Sequence, residues 1–172
     1  MSTILNTNGT SLHIPEVNPN VTGDFYIFTA DWNPKITYAL RDAAFRVLRN
    51  AGVEKDRIHS LPVPGTVELV NAAGAAMNTR NSMSAKPAAI IIIGCVIRGD
   101  TPHFDYVCEI ASHGTAILNA RGETPVIFGV LTVDNEQQAL DRAGGSLGNK
   151  GAEAAVAAVT MANLSLELRV ES

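Results

Sequence analysis

Charge is scarce in this chain, and so is sulfur. Of its 172 residues 17% are charged and two are cysteines, Cys95 and Cys108. A pair of cysteines is too few for a disulfide framework, and these two lack the spacing of metal ligands, so no metal site is expected. Both are expected as buried or half-buried thiols in a reducing, cytoplasmic setting. The formal net charge is −4, and Lys and Arg form no cluster. That balance argues against nucleic acid as a partner, because neutralising phosphates needs a basic stripe. No apolar run approaches the ~20 residues of a membrane-spanning helix. The opening MSTILNTNGTSLHIPEV has neither the basic nor the apolar region of a secretory signal, and no membrane association is expected. The dinucleotide fingerprint and the Walker-type phosphate loop are both missing, which leaves no motif for a nucleotide cofactor.

What the chain has is a high apolar content, 46%, arranged in alternating strand-like and helix-like segments. The length suits one domain over residues 1–172, with residues 1–20 as an N-terminal arm. Part of the apolar excess is expected to be covered by other subunits. DFYIFTA (24–30) has the aromatic and β-branched content of a strand. Asn33 then stands where a helix N-cap belongs and Pro34 at the first helical position. Ile36, Leu40, Ala43, Ala44, Val47, Leu48 and Ala51 follow at three- and four-residue spacing, and Gly52 closes the helix. RIHSLPV (57–63) reads as a second strand, and TVELVNAAGAAMNTR as a second helix.

PAAIIIIGC is unbroken in its apolar character, the mark of a central strand buried on both faces of a parallel sheet. His103 to Ala120 is the next amphipathic helical segment; with Thr101 as the expected cap and Pro102 as the first helical residue, His103 falls in the first turn. TPVIFGVLT (124–132) is the fourth strand. A short helix follows, opened by a capping box of Asp134 with Gln137, and KGAEAAVAAVTMANLSLEL closes the chain as an Ala-rich helix. SLHIPEV is at best an edge strand, because Pro15 removes a ladder donor. Strand and helix alternating four times give an α/β fold with helices on both sides of a parallel sheet.

Ligands of open α/β sheets bind at the carboxyl ends of the strands. Here those ends read TADWN, VPGTVE, GCVIRGDTPH and FGVLT, and they offer an aromatic ring (Trp32), a carboxylate (Glu68) and an imidazole (His103). In the first turn of a helix the dipole disfavours imidazolium, and a neutral His both accepts and donates protons; the alternative is that His103 merely packs or caps. The amides of Gly99, Asp100 and Thr101 suit an anion at that helix start. Arg98 is either a ligand of that anion or a structural pairing partner. Trp32 is read equally as core packing or as a stacking surface. Arg142 precedes AGGSLGNKG and Lys150 stands near its end, read as a helix-end charge and an ordinary surface lysine. His13, His59 and His113 have no companions and are given no role.

Taken together, ADWN, VPGTVELV, GCVIRGDTPHFDYVC, PVIFGVLT, QQALDRAG and GNKGAEAA resemble, in order and spacing, the lumazine synthase family of riboflavin synthesis, over roughly residues 25–163. The resemblance implies a flavodoxin-like three-layer sandwich on a mostly parallel four-stranded sheet. It also implies a transferase that condenses 5-amino-6-(D-ribitylamino)uracil with 3,4-dihydroxy-2-butanone 4-phosphate. The products would be 6,7-dimethyl-8-ribityllumazine, phosphate and water, formed without a metal or cofactor. On matching positions Trp32 would stack on the pyrimidine, and Thr66, Val67 and Glu68 would line the ribityl and ring contacts. Cys95, Val96 and Ile97 would contact the pyrimidine edge through their backbone, and Phe128 would close the pocket from a neighbouring subunit. Asp100 and Thr101 would meet the phosphate, Asp100 through its backbone, with Arg142 as the charged clamp. His103 would transfer protons. Arg98 and Lys150 are further candidates.

The family forms pentamers, and some members join twelve of them into an icosahedral shell. The short AGGSLGNKG connection favours the 60-subunit shell over the free pentamer, and riboflavin synthase is a candidate partner. Two other readings share these features: a non-catalytic flavin- or lumazine-binding shell protein, and an FMN carrier, which would need a richer phosphate loop after Ala30.

Overall fold

A computed structural model describes residues 11–170. Four parallel strands form its sheet: β1 (Phe25–Ala30), β2 (Ile58–Val63), β3 (Ala89–Ile97) and β4 (Val126–Val133), in the spatial order β2-β1-β3-β4. Parallel neighbours need crossover connections, and the helices supply them: α1 (Pro34–Asn50), α2 (Glu68–Ala76) and α3 (His103–Ala120). After β4 come a short α4 (Glu136–Asp141), a small antiparallel hairpin of β5 (Ala143–Gly145) and β6 (Gly148–Asn149), and the long α5 (Lys150–Val170).

The isoleucine run fixes the centre of the molecule. On β3 every residue from Ala89 to Cys95 is buried. Alternate side chains face opposite layers, as strand geometry requires. Ala89, Ile91, Ile93 and Cys95 pack with Phe25 and Ile27 of β1, Leu40 and Val47 of α1, and Val159 of α5. Ile90 and Ile92 pack with Phe28, with Leu69 and Ala73 of α2, and with Leu118 of α3. Truncating any of these isoleucines to alanine would cost about 2–5 kcal/mol. The three-layer α/β sandwich expected from the sequence is the observed fold.

Several local expectations are corrected. Asn33 holds the cap position of α1 as expected, its carbonyl accepting from the Ile36 and Thr37 amides, but its side chain does not cap the helix. Its backbone is left-handed (φ 59°, ψ 53°), and its carboxamide donates to the Cys95 carbonyl instead. Thr101 is not the cap of α3; Pro102 holds that position, without a side-chain bond. The cap of α4 lies one residue later than expected. Asn135 accepts from the Gln138 amide (3.0 Å), and Gln138 Oε1 accepts from the Asp134 amide (2.8 Å). The second helix stops at Ala76 rather than near Arg80. Past that point Thr79 Oγ1 donates back to the Ala76 carbonyl (2.8 Å) and Asn78 Nδ2 to that of Gly74 (3.3 Å), the local competition that shortens helices.

Of SLHIPEV (11–17), Ser11 makes an isolated bridge and residues 12–17 form no strand. The stretch lies along the α1 and α5 layer, where Leu12, Ile14 and Val17 pack on the core and the Val17 amide donates to Ala51 (2.8 Å). The part of the N-terminal arm before residue 11 lies outside the described residues. Gly52 ends α1 as expected, at φ 93°, where a side chain would be strained.

Candidate active site

At the carboxyl ends of the strands lies a cleft of about 450 Å³. The bend after β1 brings Trp32 and Asn33 to it, and the turn after β2 brings Gly65, Thr66 and Val67. Glu68 arrives as the first residue of α2. From the centre come Cys95, Val96 and Ile97 at the end of β3. Gly99, Thr101, His103, Phe104 and Val107 follow along the next loop and the first turns of α3. Sheet order explains the convergence: β1 and β3 are adjacent and β2 flanks β1, so loops distant in sequence leave the sheet side by side.

The walls differ in chemistry. Trp32 is 73% exposed, so it is not packed into the core of its own chain and its ring is free to meet a planar partner. Thr66 is buried, whereas Glu68 and His103 are exposed. Burial pushes the Cys95 thiol up to about 11, so its contribution to the wall is the neutral group and its backbone. The floor is closely packed: a Cβ on Gly94 would sit 2.8 Å from Thr66 Oγ1 and 3.1 Å from Leu69 Cδ1. Glycine at 94 is what lets Thr66 come down onto the sheet.

Ten of the candidate site residues singled out from the sequence therefore share one cleft: Trp32, Thr66, Val67, Glu68, Cys95, Val96, Ile97, Gly99, Thr101 and His103. The others stand apart. Asp100 is exposed beside the cleft without lining it. Phe128 sits half-buried on β4, packed toward the α2 and α3 layer.

Arg142 ends α4, where its guanidinium grips Glu153 of α5 through two bonds (Nη1–Oε1 3.0 Å, Nη2–Oε2 2.9 Å) and donates to the Leu147 carbonyl (2.6 Å). Lys150 lies 3.8 Å from the same carboxylate. Arg98, between the lining residues Ile97 and Gly99, is held by partners of its own chain. Its Nε donates to Asp134 (3.0 Å), its Nη1 to Asp105 (3.3 Å), and its Cζ lies 4.1 Å from the centre of the Phe104 ring. The Asp134 hydrogen bond, aided by Asp105, holds Arg98 still more firmly in its charged form.

The lining of the cleft thus includes neither lysine nor arginine. Among the described residues no cluster of His, Cys, Asp and Glu is built to hold a metal, and no helix is long and apolar enough to cross a membrane. The arrangement offers a flat ring to stack on, a carboxylate for hydroxyl groups, backbone groups at a strand end and an imidazole at a helix start. That is equipment for orienting a polar, planar molecule and moving protons on it.

Sequence reasoning missed Phe104 and Val107 as cleft residues, although both follow from His103. Val107 lies four residues on, hence on the same helix face, and Phe104 beside it. It also missed Asn33 as a wall, because the pattern Asn-Pro signals a cap and carries no sign of a partner 62 positions away.

The family model for 6,7-dimethyl-8-ribityllumazine synthase matches residues 23–165. Proteins of that name are similar across most of the chain. The one from Bacteroides fragilis is 48% identical over 137 residues, 80% of this chain and 92% of its own length. The one from Porphyromonas gingivalis is 49% identical over 138 residues, 80% of this chain and 83% of its own. That from Cytophaga hutchinsonii is 44% identical over 156 residues, 91% and 93% of the two chains.

Proposed function

Because this chain belongs to the 6,7-dimethyl-8-ribityllumazine synthase family, we propose that its strand-end cleft is where that synthesis takes place. The enzyme is a transferase that joins 5-amino-6-(D-ribitylamino)uracil to 3,4-dihydroxy-2-butanone 4-phosphate, releasing 6,7-dimethyl-8-ribityllumazine, phosphate and water, the penultimate step of riboflavin synthesis. The observation that carries the residue assignment is the gathering of Trp32, Glu68, the Cys95–Ile97 strand end and His103 around one cleft.

In this reading the pyrimidine lies on Trp32 and its edge meets the backbone of Cys95, Val96 and Ile97. Thr66, Val67 and Glu68 hold the ribityl chain, with the Glu68 carboxylate accepting from its hydroxyls. The phosphate sits at Asp100 and Thr101, before the N-terminus of α3, whose unpaired amides and dipole favour an anion. A cleft without its own cation needs one from elsewhere. Arg142, remote from this lining in its own chain, supplies it from a neighbouring subunit, as Phe128 supplies the covering ring. A forked guanidinium–phosphate contact is the strong kind.

The chemistry asks for orientation first. The amine attacks the ketone, water leaves as the imine forms, phosphate is eliminated, and a second water is lost when the ribityl-bearing nitrogen closes the ring. Holding both reactants in register supplies most of the acceleration. His103 moves the protons.

Exposed apolar side chains support assembly of copies: Tyr106, Ile110 and Ile117 along α3, and Met161, Leu164 and Leu168 along α5. We read the assembly as a pentamer in the cytosol, with the 60-subunit shell as its larger form and riboflavin synthase as a partner.

A turnover assay following lumazine fluorescence tests the function. His103→Ala should retain measurable activity, slowed by about 10²-fold. Arg142→Ala should lose most of its affinity for the butanone phosphate. Unchanged kinetics in Arg142→Ala would remove that residue from the site, and wild-type protein that forms no lumazine would overturn the reading.

A further inference from the structure

Asn33 adopts a conformation that its position does not predict. Immediately before a helix the backbone is ordinarily extended, with the side chain turned back onto the first amides. Here φ is 59° and the carboxamide ignores the helix. Among the described residues Ser84 is the other non-glycine with positive φ. Such backbone geometry persists where the surroundings hold it.

The holding contact is the 3.0 Å bond from Asn33 Nδ2 to the Cys95 carbonyl. The β1–β3 ladder ends with Thr29 opposite Ile93, so Cys95 lies two residues past its last rung on that side. The carboxamide serves as one more rung where β1 has already left the sheet.

Between these facts lies Trp32. The bend that carries it is fixed at its other end as well. The Asp31 amide donates to the Val63 carbonyl of β2 (2.8 Å), and Tyr38 Oη donates to the Asp31 carboxylate (2.5 Å). A ring that is 73% exposed has little packing of its own to fix it. Its place over the cleft therefore depends on the two residues beside it.

We propose that Asn33 is a positioning residue for ring recognition: its bond to the Cys95 carbonyl sets the Trp32 bend against the end of β3 and so fixes the slot that receives the planar substrate. The proposal rests on the reading of Trp32 as the stacking surface.

Asn33→Asp keeps size and tolerance of the left-handed backbone but cannot donate. Asn33→Gly adopts the same φ freely and has no side chain to bond. Trp32 is the sole tryptophan of the chain, so tryptophan anisotropy and acrylamide quenching report this bend directly and need no substrate. Both variants should lower the anisotropy and raise the quenching. In both, KM for the ribitylaminouracil should rise about fivefold, the size of one lost hydrogen bond, with kcat changed by less than about twofold.

A lowered Tm with tryptophan signals and KM unchanged in either folded variant would mean that Asn33 merely supports α1, and the proposal falls. Should Asn33→Asp fail to fold, Asn33→Gly decides it alone. Wild-type protein that makes no lumazine would overturn the proposed reaction while the tryptophan signals still judge the tie. Normal turnover with an unmoved Trp32 would overturn the tie alone.

Discussion

Gly94→Ala tests whether the sheet and the cleft are one packed unit. A Cβ at position 94 would lie 2.8 Å from Thr66 Oγ1, 3.3 Å from Thr66 Cγ2 and 3.1 Å from Leu69 Cδ1, where relaxed carbon contacts need about 3.5–4.0 Å. Neither neighbour can swing into solvent, since Thr66 is 6% exposed and Leu69 is fully buried. Overpacking of this kind costs about 1–3 kcal/mol. In a chain of this length each kcal/mol lowers Tm by about 2–4 °C.

The residue displaced is a wall of the cleft, so KM for the ribitylaminouracil should rise as Tm falls. Two of the three close contacts are made by Thr66; removing that side chain should relieve them. The double variant Gly94→Ala/Thr66→Ala should therefore be more stable than the sum of the single effects, by about 1 kcal/mol or more. Urea unfolding and steady-state kinetics on the four proteins of the cycle measure both quantities. Strictly additive stabilities, or a Gly94→Ala protein that melts with the wild type, would refute the claim that this glycine seats Thr66.

Two further outcomes follow from the ion pairs. Glu153→Ala leaves Arg142 without its forked partner in a half-buried position, with side chains 17% and 20% exposed. It should lower stability by about 2 kcal/mol in denaturant unfolding and raise KM for the butanone phosphate, because the guanidinium loses the contact that fixes its plane; an unaltered protein would show that Glu153 orients nothing. Lys86, by its hydrogen bond and its charge, holds the Glu123 carboxyl below its usual 4.5. A depressed carboxylate stabilises the fold above the unfolded value, and the contribution is lost as pH falls through the folded one. The Tm difference between wild type and Glu123→Gln should thus be full at neutral pH and close below about pH 4.5. A gap that widens toward acid would contradict the assignment.

Much of the fold was legible because its signals are local. The run Ile90–Ile93 can be buried only between two layers, and α3 ends at Ala120 as its spacing indicates and begins one residue after the expected Pro102. Given parallel strands, the rule that ligands gather at their carboxyl ends led to Trp32, Glu68 and His103, and the structure gathers all three. The family resemblance added Thr66, Val67 and the Cys95–Ile97 backbone, which no pattern in the chain singles out.

What the chain could not reveal concerns partners. Asn-Pro looks the same whether the asparagine side chain turns back onto its own helix or reaches the Cys95 carbonyl. Arg98 is equally suited by spacing to an anion or to Asp134 and Asp105, and nothing local pairs Arg142 with Glu153. The hairpin around Ser146 was equally hidden, since AGGSLGNKG also reads as an open loop.

The amino-acid sequence by itself determined the order of elements, the buried strand and the strand ends that meet at the cleft, because periodicity and burial are properties of neighbouring residues. Only the tertiary structure decided which donor meets which acceptor and where the cations go. Those choices depend on distances across space, set by strand order and layer packing and invisible along the chain.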